Sequence, residues 1–600
     1  MAKEETLPAV FIEQAKKKSN RTFLICKKDG KWKEVTWKEV AEKVRYMCLG
    51  LIAMDMVKGG RVCALSETRP ELAYSCLAIV LGGGIFSSIY HTNSPKECAY
   101  VINDLGAKIA FVENQEQLDK LKEVNNEIQV LEKIIVFEKY QSDDERVMGL
   151  DRLCEMGEKE YVKDGDQKYF TRIYSVKKDD VIEIIYTSET SGPPKGVMET
   201  SGGLIRLFNS IKIYHPVSEK DRGISYLPMA HAVELRNGHC SHIYFGIPQI
   251  YAESVNTLFQ NIIETNPTFL FTTPIFLEKH FNNFQGTIED SPRWKKKIIQ
   301  WGIISGYRIQ KMRKFSTETT LYPWYLFSFF IAYLVFFRHV RERIGRKLRY
   351  IITGGAPPPA EILKFFTAMG LPVYNCYGSS ESQGLISISR KGATRIGSAG
   401  KLSDGVEVSF AGDGEILVKG WTRCKGYWNN PEATEELFRD GWLHTGDIGY
   451  LDEDGFLFIT DRKKKIIITS SGKNITPSTI ENLMVTSRYI SIFVVIGEGR
   501  KYLTGILTLN REEIIKYAEK KGITYSDYSE LSKNQEIMDL IREEIDERNK
   551  DLARIEQIKK FTILAREFKQ NDDEVTPTLK VKRRIFNQKY KDMIDVMYMA

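Results

Sequence analysis

A chain of 600 residues exceeds the length at which one hydrophobic core keeps growing, so at least two domains are expected. Its composition, 42% apolar, 28% charged and 11% aromatic, excludes collagenous, disordered and multi-span membrane classes. The formal charge of +7 is small over such a length; it suits anionic ligands weakly and gives no argument for a nucleic-acid partner.

Met1 to Pro8 is polar and acidic and reads as no secretory signal, and Val596 to Ala600 matches no prenylation, retention or peroxisomal ending. Nine cysteines without a CxxC pair point to a reduced, cytoplasmic setting. From Arg61 to Asn114 the pattern predicts a helix over Pro70 to Leu81, a strand over Gly84 to Tyr90, a helix over Pro95 to Leu105 and a strand over Lys108 to Val112. That alternation is the mark of α/β layering. Strand-like runs recur at Val181 to Tyr186, Asn266 to Thr272 and Leu348 to Ile352, each ended by small or hydroxyl residues. Loops at such strand ends are where α/β proteins hold ligands.

The apolar stretch Leu321 to Phe337 is short for a membrane span, which takes roughly 20 residues. Two readings stand: a buried or half-buried helix, or a membrane-surface contact suited to its aromatic content and basic flanks. After about Gly405 the texture becomes β-rich, with strands expected at Glu407 to Phe410 and Gly414 to Val418. The basic run Asp461 to Lys465 opens a separate C-terminal domain, in which Glu512 to Arg554 reads as a solvated helical face.

The sharpest local signal is Tyr186-Thr187-Ser188-Glu189-Thr190-Ser191-Gly192-Pro193-Pro194-Lys195-Gly196, which follows an apolar strand. Backbone N–H groups, hydroxyls and one ammonium are what a polyphosphate needs. It is not a Walker A loop, since the Gly-Lys-Ser/Thr ending is absent. Taken alone, a polar surface loop is the lesser reading.

The stretch resembles the phosphate-loop signature of the adenylate-forming enzymes, and further blocks follow in that family's order. Tyr226 to His231 resembles the block whose histidine lies beside the acyl channel. Gly354-Gly355-Ala356-Pro357 resembles the adenine-binding turn, and Tyr377-Gly378-Ser379-Ser380-Glu381 the block giving an α-phosphate contact and the magnesium carboxylate. Gly441 to Asp447 resembles the ribose block, Asp461 to Lys464 the hinge, and Thr576 to Arg584 the catalytic-lysine loop of long-chain acyl-CoA synthetases. Tyr90 to Ser94 and Asn587 to Lys591 look like the long-chain and bubblegum branch.

The resemblance implies an α/β fold, with a large N-terminal domain (1–460) of layered α/β subdomains and a β-rich subdomain, and a small mobile α+β domain (461–600). It implies activation of a long-chain fatty acid with ATP and Mg²⁺, then transfer of the acyl group to CoA. Lys580, His231 and Glu381 are the expected catalytic residues, with Thr190 and Glu381 on the metal. Thr187, Ser188, Thr190, Ser191, Gly192, Lys195, Gly354, Gly355, Ala356, Pro357, Tyr377, Gly378, Ser380, Asp447 and Arg462 are expected around ATP. Lys464 matches the hinge pivot, and Gly472, Lys473 and Asn474 the loop that swings in for CoA. Bringing a carboxylate to the α-phosphate joins anions, so charge neutralisation and positioning must carry the catalysis.

Three positions depart from the pattern: Glu189 stands for a glycine, Ser191 for a threonine and Ser201 for a histidine. A carboxylate about 5 Å from one phosphate charge costs roughly 3 kcal/mol at an effective dielectric near 20. Glu189 therefore motivates an alternative: a relic that binds fatty acid or acyl-CoA without turnover. Glu234 matches a glutamate common in long-chain members, but the arginine expected after it is Leu235.

Overall fold

The computed structural model describes residues 6–187, 193–215, 217–315, 323–463, 466–470, 473–569, 572–576 and 580–599, with the side chains of 310–315, 323 and 474 left out. Ser188, Glu189, Thr190, Ser191, Gly192, Lys464 and Gly472 thus lie outside the described residues.

Local chemistry sets the first helices. Thr36 and Glu39 cap each other at the start of Trp37–Ala53, and Ser94 and Glu97 do the same at Pro95–Leu105, satisfying N–H groups that no helix can satisfy internally. The expected helix at Pro70–Leu81 forms, followed by the strand Ile85–Ile89, which is buried at every position. A strand buried on both faces belongs inside a parallel sheet with helices on either side. Here it lies in a seven-stranded sheet ordered Val147–Gly149, Lys133–Val136, Ile109–Val112, Arg61–Leu65, Ile85–Ile89, Val181–Thr187, Lys195–Thr200. All its pairs are parallel except the last hairpin, which carries the phosphate-loop sequence at its turn.

A nine-stranded sheet holds the other α/β layer. Its centre, Phe269–Thr272, Tyr350–Gly354 and Val373–Tyr377, is parallel and in register, so the Gly354 and Tyr377 blocks leave the same sheet end. The β-rich unit is a four-stranded antiparallel sheet of Val406–Phe410, Glu415–Gly420, Leu443–Leu451 and Leu457–Arg462. Its last strand carries Asp461 and Arg462, with Arg462 opposite Asp447.

The C-terminal part has a core of its own around Ile480, Leu507, Ile537, Ile541 and Ile545, on a three-stranded sheet of Ile490–Ile496, Leu503–Leu509 and Ile558–Ile563. The Glu512 to Arg554 stretch is three helices rather than one solvated face. Gly522 ends the first, and the isoleucines of Gln535–Asn549 at i, i+4 and i+8 are buried. Contacts to the N-terminal body include the Arg488–Glu289 ion pair at 2.7 Å and the Asn482 amide on the Pro357 carbonyl at 3.3 Å.

The Leu321 to Phe337 stretch is a half-buried helix over its described part. Pro323–Ala332 continues as a π-helical turn, Tyr333–Phe337, whose Phe336 and Phe337 enter the core. Trp324, Phe327, Phe330 and Leu334 face outward. Among the described residues no helix is long and apolar enough to cross a membrane, and all nine cysteines are free thiols.

Candidate active site

The site forms where the two α/β layers, the β-rich unit and one C-terminal loop meet. Thr187 pairs with Lys195 where the two strands that flank the phosphate-loop sequence end. Lys195 is held with its ammonium 5.1 Å above the Tyr427 ring.

The Tyr377 block leaves its strand beside the β-rich sheet. The Tyr377 hydroxyl donates to Asp447 Oδ2 at 2.7 Å, and Arg462 Nε meets Asp447 Oδ1 at 3.0 Å. Asp447 is buried while the Arg462 side chain is mostly exposed, so solvent screens the pair and its value is positional more than energetic. Gly378 packs so closely on Gly384 that any Cβ would collide with its carbonyl. Glu381 is partly buried, and its Oε1 accepts the Tyr427 hydroxyl at 2.9 Å. A carboxylate held this way suits a hard cation such as Mg²⁺.

Gly355 turns the chain after its strand with φ +85°, a conformation that favours glycine. Gly355, Ala356 and Pro357 are exposed, as a turn that meets a ligand must be. Lys580 Nζ donates to the Gly355 carbonyl at 2.6 Å, bringing the expected catalytic lysine of the C-terminal part to the expected adenine turn. The lysine loop is pinned at its base. Thr576 Oγ1 accepts the Lys580 N–H at 3.0 Å, and the buried Glu574 carboxylate accepts from Tyr590 at 2.8 Å and pairs with Lys589 and Arg566.

His231 follows the Tyr226 block and accepts the Val233 N–H on Nδ1 at 3.1 Å, which leaves the proton on Nε2 in the neutral ring. Burial, with the Lys580 charge adding to it, lowers its pKa to about 4, so the ring is neutral at ordinary pH. Thr68 fixes this block: its hydroxyl donates to the Leu227 carbonyl at 2.6 Å and accepts from the Met229 N–H at 2.9 Å. Ser201 is buried and accepts the Leu7 N–H at 2.8 Å, so the serine found in place of histidine ties the N-terminal helix to the start of the helix Ser201–Tyr214 that follows the strand Lys195–Thr200.

The structure therefore brings together Lys580 with Gly355, and Tyr377 with Asp447 and Arg462. Lys473 is exposed in a short hairpin whose Thr469 N–H donates to its carbonyl at 3.0 Å. Sequence reasoning missed Tyr427 and Thr68. The Gly426-Tyr427-Trp428 stretch carried no recognised pattern, and both residues act through contacts distant in sequence.

A two-layer α/β body with ligand blocks at its strand ends, faced by a lysine loop from a second domain, has the architecture of the adenylate-forming enzymes. Residues 11–428 match the AMP-binding enzyme family and residues 464–600 the AMP-binding enzyme C-terminal domain, and the chain belongs to this family. Its relatives include the long-chain-fatty-acid–CoA ligase FadD15 of Mycobacterium tuberculosis, 30% identical over 586 residues, covering 95% of this chain and 93% of the relative. The long-chain-fatty-acid–CoA ligase ACSBG2 of Gallus gallus is also 30% identical, over 628 residues, covering 99% of this chain and 81% of the relative. Among solved structures, the adenylation domain of a carboxylate reductase from Mycobacterium chelonae matches with a TM-score of 0.76 at 17% identity, covering 99% of this chain and 91% of that one. A Mycobacterium tuberculosis fatty acyl CoA synthetase matches with a TM-score of 0.59 at 21% identity, covering 99% and 100%. At these identities the structural matches speak for the fold.

Proposed function

We propose that this chain is an AMP-forming long-chain fatty-acid–CoA ligase, converting fatty acid, ATP and CoA into acyl-CoA, AMP and pyrophosphate. The observation that carries the reading is Lys580 on the Gly355 carbonyl, which supports an ammonium of the C-terminal domain acting beside the turn we assign to adenine. In the first step Lys580 bridges the substrate carboxylate and the α-phosphate, neutralising the charge that gathers as the acyl–phosphate bond forms. Thr187, Ser188, Thr190, Ser191, Gly192, Lys195 and Ser380 hold the phosphates. Gly354, Gly355, Ala356, Pro357, Tyr377 and Gly378 frame the adenine, and Asp447 with Arg462 takes the ribose. Mg²⁺, held by Glu381 and Thr190, supplies charge neutralisation on the phosphates. His231, neutral and bearing its proton on Nε2, donates beside the acyl channel.

For the second step the C-terminal domain turns at Lys464, withdrawing Lys580 and bringing Gly472, Lys473 and Asn474 toward the acyl-adenylate. Ligase names on relatives that align over nearly the whole chain do not favour the relic that Glu189 suggested. The test is pyrophosphate release with Mg·ATP across a series of fatty-acid chain lengths. Release should require fatty acid and rise with chain length; none at any length overturns the reading.

The protein works in the cytoplasm and docks peripherally on a membrane through the Leu321 to Phe337 segment. Support comes from the outward Trp324, Phe327 and Phe330, beside the helix Arg293–Phe315, which has eight Lys and Arg and no Asp or Glu. Exposed aromatics next to a basic helix suit an anionic lipid interface. Co-sedimentation should be strong with phosphatidylglycerol vesicles, weak with pure phosphatidylcholine, and lost on replacing the three aromatics by serine. Equal sedimentation of wild type and variant would reject the contact.

A further inference from the structure

Behind the Ser379 to Glu381 turn lies a buried charge cluster that the roles above do not use. Residues Val233–Cys240 form a π-helix, the wide turn that accommodates an extra residue in a helix. In this register Leu235 is buried in the main hydrophobic cluster, and Arg236 points at the strand Lys195–Thr200 and at the turn. It is Arg236, two residues after Glu234, that reaches the strand and the turn.

Arg236 Nε donates to Glu199 Oε2 at 2.7 Å, and its NH2 group also pairs with Glu199 Oε1. The same guanidinium donates to the Ser380 carbonyl at 2.9 Å and to the Ser379 carbonyl at 3.4 Å. Arg236 is 2% exposed and Glu199 0%. Removing such a pair from water is costly, and well-packed apolar side chains would serve mere packing equally well. A planar fork with five donors can span a carboxylate and two carbonyls at once, which an ammonium cannot.

The two carbonyls directly precede Glu381, whose carboxylate is gripped from the other side by Tyr427. Arg236 thus fixes the main chain of the residue whose side chain Tyr427 fixes. We infer that Arg236, locked by Glu199, is a positioning residue that sets Ser380 and Glu381 for Mg·ATP. This rests on the reading of Glu381 as the magnesium carboxylate.

Arg236→Leu alone strands the buried Glu199 and is expected to impair folding. The double variant Glu199→Leu/Arg236→Leu removes both charges, and Arg236→Lys keeps the charge but not the fork; both are expected to fold. Mg·ATP affinity is read by calorimetry, and Mg²⁺ dependence and fatty-acid KM by pyrophosphate release. In the double variant Mg·ATP binding should weaken by about 10- to 100-fold, the range found when groups that orient a metal ligand are removed. Arg236→Lys should fall between it and wild type, with fatty-acid KM unchanged in both. A folded double variant with wild-type Mg·ATP affinity and Mg²⁺ dependence overturns the inference. Wild type that binds Mg·ATP without turnover would fail the ligase reading alone, since calorimetry on the variants still decides the role of Arg236. Wild type that does not bind Mg·ATP overturns both.

Discussion

Tyr427→Phe removes one oxygen atom and should raise the Mg²⁺ requirement. The hydroxyl donates to Glu381 Oε1 at 2.9 Å, and a hydrogen bond to a charged group contributes about 1.5–3 kcal/mol. Full transmission to metal affinity would be roughly a 10- to 150-fold effect at 1.4 kcal/mol per decade. Glu381 is partly exposed, so water replaces some of the lost bond and the low end, about tenfold, is expected. The ring itself stays in place: the Tyr427 N–H donates to Thr434 Oγ1 at 2.9 Å, and Tyr427 bridges to Val197. Pyrophosphate release titrated with Mg²⁺ at saturating fatty acid reads the effect. An unchanged Mg²⁺ requirement in a folded variant would refute the assignment of Glu381, and an equal change in fatty-acid KM would show a general disturbance instead.

Three further outcomes follow. Asp447→Asn keeps the shape but loses a charged acceptor, so the KM for ATP should rise by about 10- to 100-fold with fatty-acid KM unchanged, and an ATP KM within twofold of wild type would refute the ribose role. Gly378→Ala forces a Cβ into the Gly384 carbonyl and should destabilise by about 1–3 kcal/mol, read as a lower denaturant midpoint. Burial lowers His215, His231 and His239 to about 4 and His242 and His280 to about 3, and raises Glu183, Glu234 and Glu278 to about 7. Between about pH 4.5 and 5.5 the five histidines take up protons on unfolding while the three glutamates release them, a net uptake of about two that fades toward pH 6.5. Stability should therefore rise with pH across that window by about 3 kcal/mol per unit, so Tm followed by circular dichroism should climb; a flat or falling Tm contradicts the assignment.

The parts of this fold legible in the sequence are those written in nearest neighbours. The helix at Pro95–Leu105 is announced by Ser94, Pro95 and Glu97, and its end by Gly106 with φ +67°. The blocks that resemble the family's were legible because each is a short contiguous run, and those at Tyr186, Gly354 and Tyr377 close a strand. Contacts made across the chain were not legible. Tyr427 reaches Glu381 over 46 positions, Thr68 reaches Leu227 over 159, and Arg236 reaches Ser380 over 144. Leu235 gave no hint of this, since the contacts of Arg236 with Glu199 and Ser380 are made over 37 and 144 positions. The charged stretch after Glu512 also hid its isoleucine stripe, because charge was read without the four-residue spacing that buries Ile537, Ile541 and Ile545.

The most direct test of the two-step account separates the half-reactions in Lys580→Ala. An ammonium about 4 Å from a phosphate charge contributes roughly 4 kcal/mol at an effective dielectric near 20, about a thousandfold in rate. The account predicts that the variant loses acyl-adenylate formation from fatty acid and Mg·ATP by about that factor, yet converts supplied acyl-adenylate and CoA to acyl-CoA at a near wild-type rate. Acyl-adenylate formed by the variant as fast as by wild type would contradict it.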